Sequence, residues 1–231
     1  MLTERQNKLI QAIIQQYIKT AQPVASEWLA KVFDFQVSPA TIRNEMVELT
    51  DKGFLFQPHT SAGRIPTEKA YRYYIENFLD EEKWKAKIRR FFKKNKIKKI
   101  DEIIIREISR KVAELAGELI FLAFNRENFY YTGLSYLFQQ PEFNQAEIIY
   151  DISRVVDHLD KIIYHLFDQV GNGTEILLGR ENPFGEICTT ILTKIYLPWQ
   201  KSYSLFGLLG PMRMNYNQNI ALVNYIKELI S

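Results

Sequence analysis

The chain has 231 residues, of which 46% are hydrophobic and 25% charged, the composition of an ordinary globular protein with one large or two small domains. Its longest apolar run, Leu119 to Phe124, has six residues, and the first residues lack the basic and then apolar pattern of a secretory signal. Cys188 is its single cysteine. Membrane, secreted and disulfide-scaffold classes are therefore not expected, and a reducing cytoplasm fits best.

The net charge is +3, but it is distributed unevenly. The segment Lys83 to Lys99 contains ten Lys and Arg residues and no acid, whereas the rest of the chain has 20 basic and 27 acidic residues. Such asymmetry predicts an anionic partner or a junction between domains.

The first 79 residues contain signals for four helices and a hairpin. Thr3, Thr67 and Ser38, which precedes Pro39, are predicted to cap helices. The periodicity predicts helices over Thr3–Thr20, over Ser26–Val32 (with Trp28, Leu29 and Val32 inward), from Ser38 to about Lys52, and after Thr67, and strands at Phe54–Phe56 and Arg64–Ile65. This order is typical of a winged helix-turn-helix.

The remaining sequence predicts a basic helix followed by a mixed domain. The basic segment keeps a helical rhythm, with Trp84, Ile88, Phe91 and Phe92 on one face. The predicted elements that follow are a helix over Glu102–Gly117 with the stripe Ile104, Ile108, Val112 and Leu115, strands at Leu119–Phe124 and Phe129–Thr132, a long helix over Asn144–Gln169, strands at Glu175–Leu178, Ile187–Tyr196 and Tyr203–Leu209, and a helix over Asn217–Ile230. Helices beside an antiparallel sheet indicate an α+β fold.

These elements predict three segments. Residues 1–80 form the DNA-binding winged helix-turn-helix, residues 81–100 form a basic amphipathic connector, and residues 101–231 form the α+β domain.

The winged helix carries the strongest functional signal. The N-terminal part of its third helix is the part that enters a DNA major groove, where Arg can bond guanine and Asn can bond adenine through two hydrogen bonds each. The loop of the hairpin offers small polar donors and a cation that suit phosphates or a minor groove. The predicted DNA-binding residues are Ser38, Thr41, Arg43, Asn44, His59, Thr60, Ser61 and Arg64.

The basic segment has three interpretations: a contact with the DNA backbone, a patch on a membrane surface, or a solvated connector. We expect a connector with partial phosphate contact, because the apolar stripe is short for membrane binding. The residues predicted to reach phosphates are Lys83, Lys85, Lys87, Arg89 and Arg90.

No catalytic or metal site is predicted, and no cofactor. Cys188 lies in an apolar strand, which favours a buried core residue over a nucleophile. His158 and His165 are seven residues apart and accompanied by cations, so solvated histidines are expected. The protein is not expected to be an enzyme.

Several strings of residues carry a resemblance to a known family. Ser38-Pro39-Ala40-Thr41-Ile42-Arg43-Asn44-Glu45-Met46 and the long wing string from Gln57 to Thr67 resemble the heat-inducible transcription repressor family, HrcA. The segments Gln140–Phe143, Gly179–Asn182 and Gly207–Tyr216 resemble later parts of the same family, in the same order. The resemblance is densest over residues 1–79 and 203–228.

The resemblance implies a bacterial, nucleoid-associated repressor of chaperone genes in the heat-shock response. It implies double-stranded DNA with an inverted-repeat operator as the partner, a homodimer, chaperonin as a further partner, and no membrane. It also implies that residues 101–231 form a GAF-like regulatory and dimerisation domain. Such a fold raises the possibility of a ligand pocket lined by tyrosines, although packing into a small core is favoured for Tyr130, Tyr131, Tyr136, Tyr196 and Tyr203.

The sequence departs from the family pattern in two places. Members are usually longer, with a dimerisation domain inserted into the GAF-like fold, and little room for it exists between Thr132 and Glu175. Ala25 stands where the family usually has glycine.

The sequence is compatible with two functions. The first is a sequence-specific repressor. The alternative is a partner- or ligand-sensing winged-helix protein that binds nucleic acid nonspecifically through its basic connector.

Overall fold

A computed structural model describes residues 2–33, 37–93, 100–143, 155 and 157–230. The chain divides into two compact units, Met1–Leu79 and Asp80–Ser231. No helix in these ranges is long and apolar enough to cross a membrane.

The first unit is a winged helix-turn-helix. Thr3 caps α1 with a full capping box, and Thr67 and Ser38 cap the helices that follow them, as predicted. The core of the unit is apolar and includes Leu9, Ile13 and Leu29, each at most 1% exposed. The elements are α1 (Glu4–Thr20), α2 (Ser26–Val32), α3 (Pro39–Asp51), β1 (Leu55–Phe56), β2 (Ile65–Pro66) and α4 (Glu68–Phe78).

One expectation for this unit is wrong. Val32 was expected to face inward, but it is 55% exposed, whereas Leu29 is fully buried. Val32 is the last residue of the seven-residue helix α2, and the buried residues of this helix are Ser26 and Leu29. Residues 34–36, between α2 and α3, lie outside the described residues.

The second unit has an α+β fold, as predicted. Its helices are α5 (Glu82–Lys93), α6 (Glu102–Ala116), α7 (Leu134–Phe138), α8 (Leu159–Gln169) and α9 (Tyr216–Ile230), and its strands are β3 (Leu119–Ala123), β4 (Phe129–Thr132), β5 (Thr174–Leu178), β6 (Cys188–Leu197) and β7 (Ser202–Pro211). The five strands form one antiparallel sheet in the order β4-β3-β7-β6-β5. This arrangement agrees with the expected GAF-like domain.

Helices cover both faces of this sheet. On one face Phe121 and Leu192 pack with Leu137 of α7 and Ile163 of α8. Residues that alternate with these point to the other face, where α6 and α9 pack and the hydroxyl of Thr189 lies 3.1 Å from that of Tyr216. Both faces are therefore buried, as in a three-layer domain.

Two predicted helices differ in detail from the structure. The buried stripe of α6 includes Ile105 in place of Ile104, because three consecutive isoleucines leave the register of the stripe undetermined. The predicted helix over Asn144–Gln169 is represented by α8, and residues 144–154 and 156 lie outside the described residues.

Candidate nucleic-acid interface

Helix α3 presents its polar residues at its exposed N-terminal end. The Ser38 hydroxyl accepts a hydrogen bond from the backbone N–H of Thr41 at 3.2 Å and lies 3.0 Å from the Thr41 hydroxyl. Ile42 and Leu49 are buried, so the opposite side of the helix faces solvent. Arg43 and Asn44 lie on that exposed side.

Arg43 is held by an acid on the neighbouring helix. Its Nη2 donates to Oε1 of Glu27 in the first turn of α2, and the two side chains are 65% and 55% exposed. This partner of Arg43 was not predicted from the sequence. A tertiary pair 16 residues apart leaves no periodic signal in the sequence.

The Gln57 side chain holds the wing loop. Gln57 Nε2 donates to the carbonyl oxygens of Thr60 at 3.0 Å and Ala62 at 2.9 Å. These bonds tie the loop to the end of β1 and leave His59, Thr60 and Ser61 exposed. Backbone and side-chain donors of these residues are therefore available to an anionic partner.

The base of the wing is attached to the start of α2 and to α3. Val24 and Arg64 exchange two backbone hydrogen bonds of 2.9 Å. A Cβ on Gly63 would lie 2.3 Å from the Val24 carbonyl oxygen, so this close approach requires glycine. Arg64 Nε also donates to the Thr50 hydroxyl at 3.0 Å, which links the wing to α3.

The start of α2, helix α3 and the wing line a cleft of about 440 Å³. Four of the eight predicted DNA-binding residues line it: Arg43, Thr60, Ser61 and Arg64. Sequence reasoning missed Glu27, Gln57 and Gly63, which also line it. Ser38, Thr41, Asn44 and His59 lie outside the cleft.

The basic segment contributes α5 to the second unit. Ile88 and Phe92 are buried, and the Phe92 ring stacks on Tyr225 of α9 at 5.2 Å. The apolar face of the segment therefore packs on a neighbouring helix.

The predicted phosphate contacts lie on the remaining surface of α5. Local partners engage four of the five: Lys83 with Asp80 at 3.3 Å, Lys85 with Glu82 at 2.6 Å, Arg89 with Glu228 at 3.8 Å, and Lys87 over the Trp84 ring at 4.4 Å. Arg90 is exposed and lines a shallow groove with Arg89 and Lys93. Residues 94–99 lie outside the described ranges.

Two family descriptions match this chain. "Winged helix-turn-helix transcription repressor, HrcA DNA-binding" matches residues 1–78, and "HrcA protein C terminal domain" matches residues 63–220. The chain belongs to the HrcA family. The family is one of winged-helix transcription repressors, so the alternative of a nonspecific partner-sensing protein is not favoured.

HrcA proteins from several bacteria are similar to this chain. The heat-inducible transcription repressor HrcA of Carboxydothermus hydrogenoformans is 26% identical over 335 aligned positions, which cover 100% of this chain and 98% of the relative. The HrcA of Alkaliphilus metalliredigens is 61% identical over 82 residues, which cover 36% of this chain and 24% of the relative. Because this chain has 231 residues, roughly 100 of the 335 positions have no counterpart in it. The expectation that family members are longer is confirmed.

One solved structure is similar in fold to this chain. A crystal structure of a hypothetical protein superposes with a TM-score of 0.78, at 19% identity, and covers 100% of this chain and 96% of that one.

The later HrcA-like segments assemble a polar cluster inside the second unit. Arg213 pairs with Glu142 through Nε, and its Nη2 donates to Gln140 Oε1 at 2.7 Å. Gln140 Nε2 in turn donates to the carbonyl oxygen of Gly117 at 3.1 Å. Beside it the Glu118 side chain is buried, and burial raises the pKa of its carboxyl well above the ordinary value, with Arg213 opposing and Glu142 adding to the shift. We call Glu118, Gln140, Glu142 and Arg213 the polar cluster.

The other candidate side chains are placed as follows. Cys188 is buried, as expected, and burial raises the pKa of its thiol to about 12, which disfavours a nucleophilic thiolate. His158 and His165 are exposed, as expected. Within the described ranges no group of three or more His, Cys, Asp or Glu side chains could hold a metal ion.

Three of the five tyrosines named in the sequence analysis are exposed. Tyr131, Tyr196 and Tyr203 are 39%, 37% and 55% exposed, so the expectation of core packing is wrong for these three. Tyr196 and Tyr203 form an edge-to-face pair with ring centroids 5.5 Å apart across the β6–β7 hairpin.

Proposed function

We propose that this chain is a sequence-specific repressor that binds an inverted-repeat operator through α3 and the wing. The observation that carries the proposal is the cleft where Arg43 of α3, the start of α2 and the exposed wing loop converge. An arginine of α3 and a wing that present polar donors at one opening match how winged helices engage DNA.

Each predicted residue has a role in this proposal. Arg43 bonds guanine, Asn44 bonds adenine, and Thr41 offers a methyl group and a hydroxyl to a base edge. Ser38, His59, Thr60, Ser61 and Arg64 contact phosphates or the minor groove and fix the position of α3 on the duplex.

The first unit alone attracts DNA weakly. Residues 1–79 contain nine basic and eight acidic residues, so the unit has almost no net charge. Nonspecific affinity for DNA comes mainly from neutralised phosphates. The proposal therefore assigns phosphate contacts to Lys83, Lys85, Lys87, Arg89 and Arg90. The ion pairs of Lys83, Lys85 and Arg89 are exposed and weak.

The remaining parts of the proposal follow from the family. They are a homodimer that matches the two-fold symmetry of the operator, control of chaperone genes, regulation by chaperonin, and a nucleoid-associated place in a bacterial cytoplasm. The second unit is assigned to regulation and dimerisation, although the chain is shorter than its relatives.

Binding to two labelled duplexes tests the proposal. One duplex carries the inverted repeat found upstream of chaperone genes in the source genome, and the other is a scrambled sequence of equal composition. We expect a preference of about a thousandfold for the repeat and a stoichiometry of two chains per duplex. Equal, salt-sensitive binding to both duplexes would contradict the proposal.

The Arg43→Ala variant tests the assigned contact. Loss of a bidentate base contact is expected to weaken operator binding by about 1–3 kcal/mol and to relax the preference at one base pair. Arg126→Ala, which removes an exposed arginine of the second unit, is the matched control. A loss of the same size in both variants would remove Arg43 from the interface.

A further inference from the structure

The carboxylate of Glu27 lies beside the guanidinium assigned to base reading. Its Oε1 accepts from Arg43 and its Oε2 accepts from the Ser26 hydroxyl at 3.3 Å. A hydrogen bond from its own backbone N–H is the largest cause that lowers the pKa of Glu27. Desolvation opposes this shift, and the Arg43 charge lowers the pKa further, so the carboxylate is charged at neutral pH. An anion therefore lines a cleft that the proposed function assigns to an anionic polymer.

The position of Glu27 is fixed by its surroundings. The two Val24–Arg64 backbone bonds and the close approach of Gly63 hold the chain just before α2. Within α2, Leu29 is fully buried and Ser26 is 5% exposed. The negative charge is consequently placed at the mouth of the cleft by the fold.

The Arg43–Glu27 pair contributes little to folding. Both side chains are more than half exposed, and ion pairs of this kind add little to the stability of a protein. A role in stability therefore does not account for it.

We propose that Glu27 determines the specificity of Arg43. Arginine has five N–H donors, and the bond from Nη2 to Glu27 leaves donors on the rest of the guanidinium. A neutral base edge such as guanine O6 and N7 can accept from these donors while Glu27 stays bound. A phosphate in the same place is repelled by the Glu27 charge. Glu27 thus positions Arg43 for bases and disfavours phosphates, an inference that rests on the proposed function.

Glu27→Gln isolates the charge of this side chain. We expect the variant to bind scrambled DNA about fivefold more tightly, the effect of one unit charge at roughly 4 Å in a water-like medium. Binding to the operator changes less, so the ratio of the two affinities falls. On scrambled DNA the log–log salt slope steepens by up to about 0.9, because Arg43 becomes free to neutralise one phosphate.

Two further variants control the experiment. Glu76→Gln removes an exposed acid from α4 and matches the change in net charge. In an Arg43→Ala background, Glu27→Gln should change the affinity ratio and the salt slope no more than Glu76→Gln does. Thermal unfolding of every variant confirms that the first unit is folded.

The outcomes separate the two proposals. A ratio that falls with Glu27→Gln, but neither with Glu76→Gln nor in the Arg43→Ala background, supports the inference. The inference alone is overturned if the preference for the operator duplex survives Glu27→Gln, or if it falls equally with Glu76→Gln. A chain that binds both duplexes equally before any substitution overturns the proposed function and this inference with it.

Discussion

The wing string of the first unit and the Gly207–Tyr216 string of the second both resemble the HrcA family, but they face opposite environments. His59, Thr60 and Ser61 of the wing are exposed, whereas the residues from Gly207 to Pro211 are buried and Arg213 is tied to Glu142. The exposed string offers donors to a partner, and the buried string holds a sheet, a helix and the polar cluster together. Similar strength of resemblance therefore marks two different physical roles.

The largest effect on stability is expected from Arg213→Ala. The Arg213 side chain is 11% exposed and faces Glu142, with Glu118 close by. Its loss leaves the partly buried Glu142 carboxylate and the buried Glu118 side chain without a counter-charge, which we expect to lower the free energy of unfolding of the second unit by about 3 kcal/mol. Hydrogen exchange of the β3 and β7 amides measures this unit separately from the first.

Arg126→Ala is the surface control for that change. Arg126 pairs with Asp168, and their side chains are 41% and 62% exposed, so the expected loss is below about 1 kcal/mol. If both arginine variants lost the same stability, the polar cluster would not be the internal structural element described above.

Gly207→Ala tests how tightly the residues from Gly207 to Pro211 are packed, because it adds a methyl group to them. A Cβ on Gly207 would lie 2.0 Å from Cζ of Phe121, whose ring is fully buried in the sheet. Overpacking of this kind is expected to cost about 2 kcal/mol, visible as a lower midpoint of urea unfolding. Adding Phe121→Leu should restore part of the loss.

Gly173→Ala is the matched glycine control. A Cβ at Gly173 meets no atom within 4 Å, and its unfolding midpoint should stay close to that of the unsubstituted chain. A Gly207→Ala variant as stable as Gly173→Ala would mean that Phe121 moves aside without cost, and that the buried string tolerates side chains.

Local signals in the sequence predicted most of the fold. Caps are encoded by neighbouring residues, so the signal of Ser38 and Pro39 placed the start of α3 at Pro39, where the structure has it. The failures concern information that is not local. Val32 depends on which neighbours cover a seven-residue helix, and the five-residue helix α7 is too short for periodicity to reveal.

The candidate site was predicted less completely. Exposed polar residues on α3 and in the wing could be named from architecture and from resemblance. The Glu27 carboxylate and the Val24–Arg64 bridge could not, because each joins residues far apart in the chain. The polar cluster was missed for the same reason, since Glu118 and Arg213 meet only in the folded sheet.

A smaller and opposite effect is expected from Glu118→Gln. Burial raises the pKa of the Glu118 carboxyl in the folded state above its ordinary value of about 4.5. Between these two pKa values, folding is therefore accompanied by uptake of a proton. The stabilising contribution is complete below the ordinary pKa and is lost as the pH rises through the folded pKa. Replacing the ionisable group should raise the free energy of unfolding at pH 7 by about 1 kcal/mol.

Urea unfolding of the second unit across the pH range checks this expectation. The difference in stability between Glu118→Gln and the unsubstituted chain should be smallest near the ordinary carboxyl pKa and grow with pH. A constant difference would mean that Glu118 does not titrate between the folded and unfolded states, and a variant less stable at pH 7 would mean that the charged carboxylate is stabilised by Arg213.

The smallest effect on stability is expected in the exposed region, where one residue has two roles. Ser38→Ala removes the hydroxyl that caps α3 and should lower the free energy of unfolding of the first unit by about 1 kcal/mol. Ser38→Asp keeps an acceptor for the Thr41 N–H and should restore stability, because aspartate caps helices as well as serine. The same aspartate places a negative charge where the proposed interface meets phosphates, so DNA affinity should stay low.

Hydrogen exchange of α3 and binding to the operator duplex measure the two roles of Ser38 separately. Recovery of both by Ser38→Asp would confine Ser38 to capping, and recovery of stability alone would place it at the DNA as well.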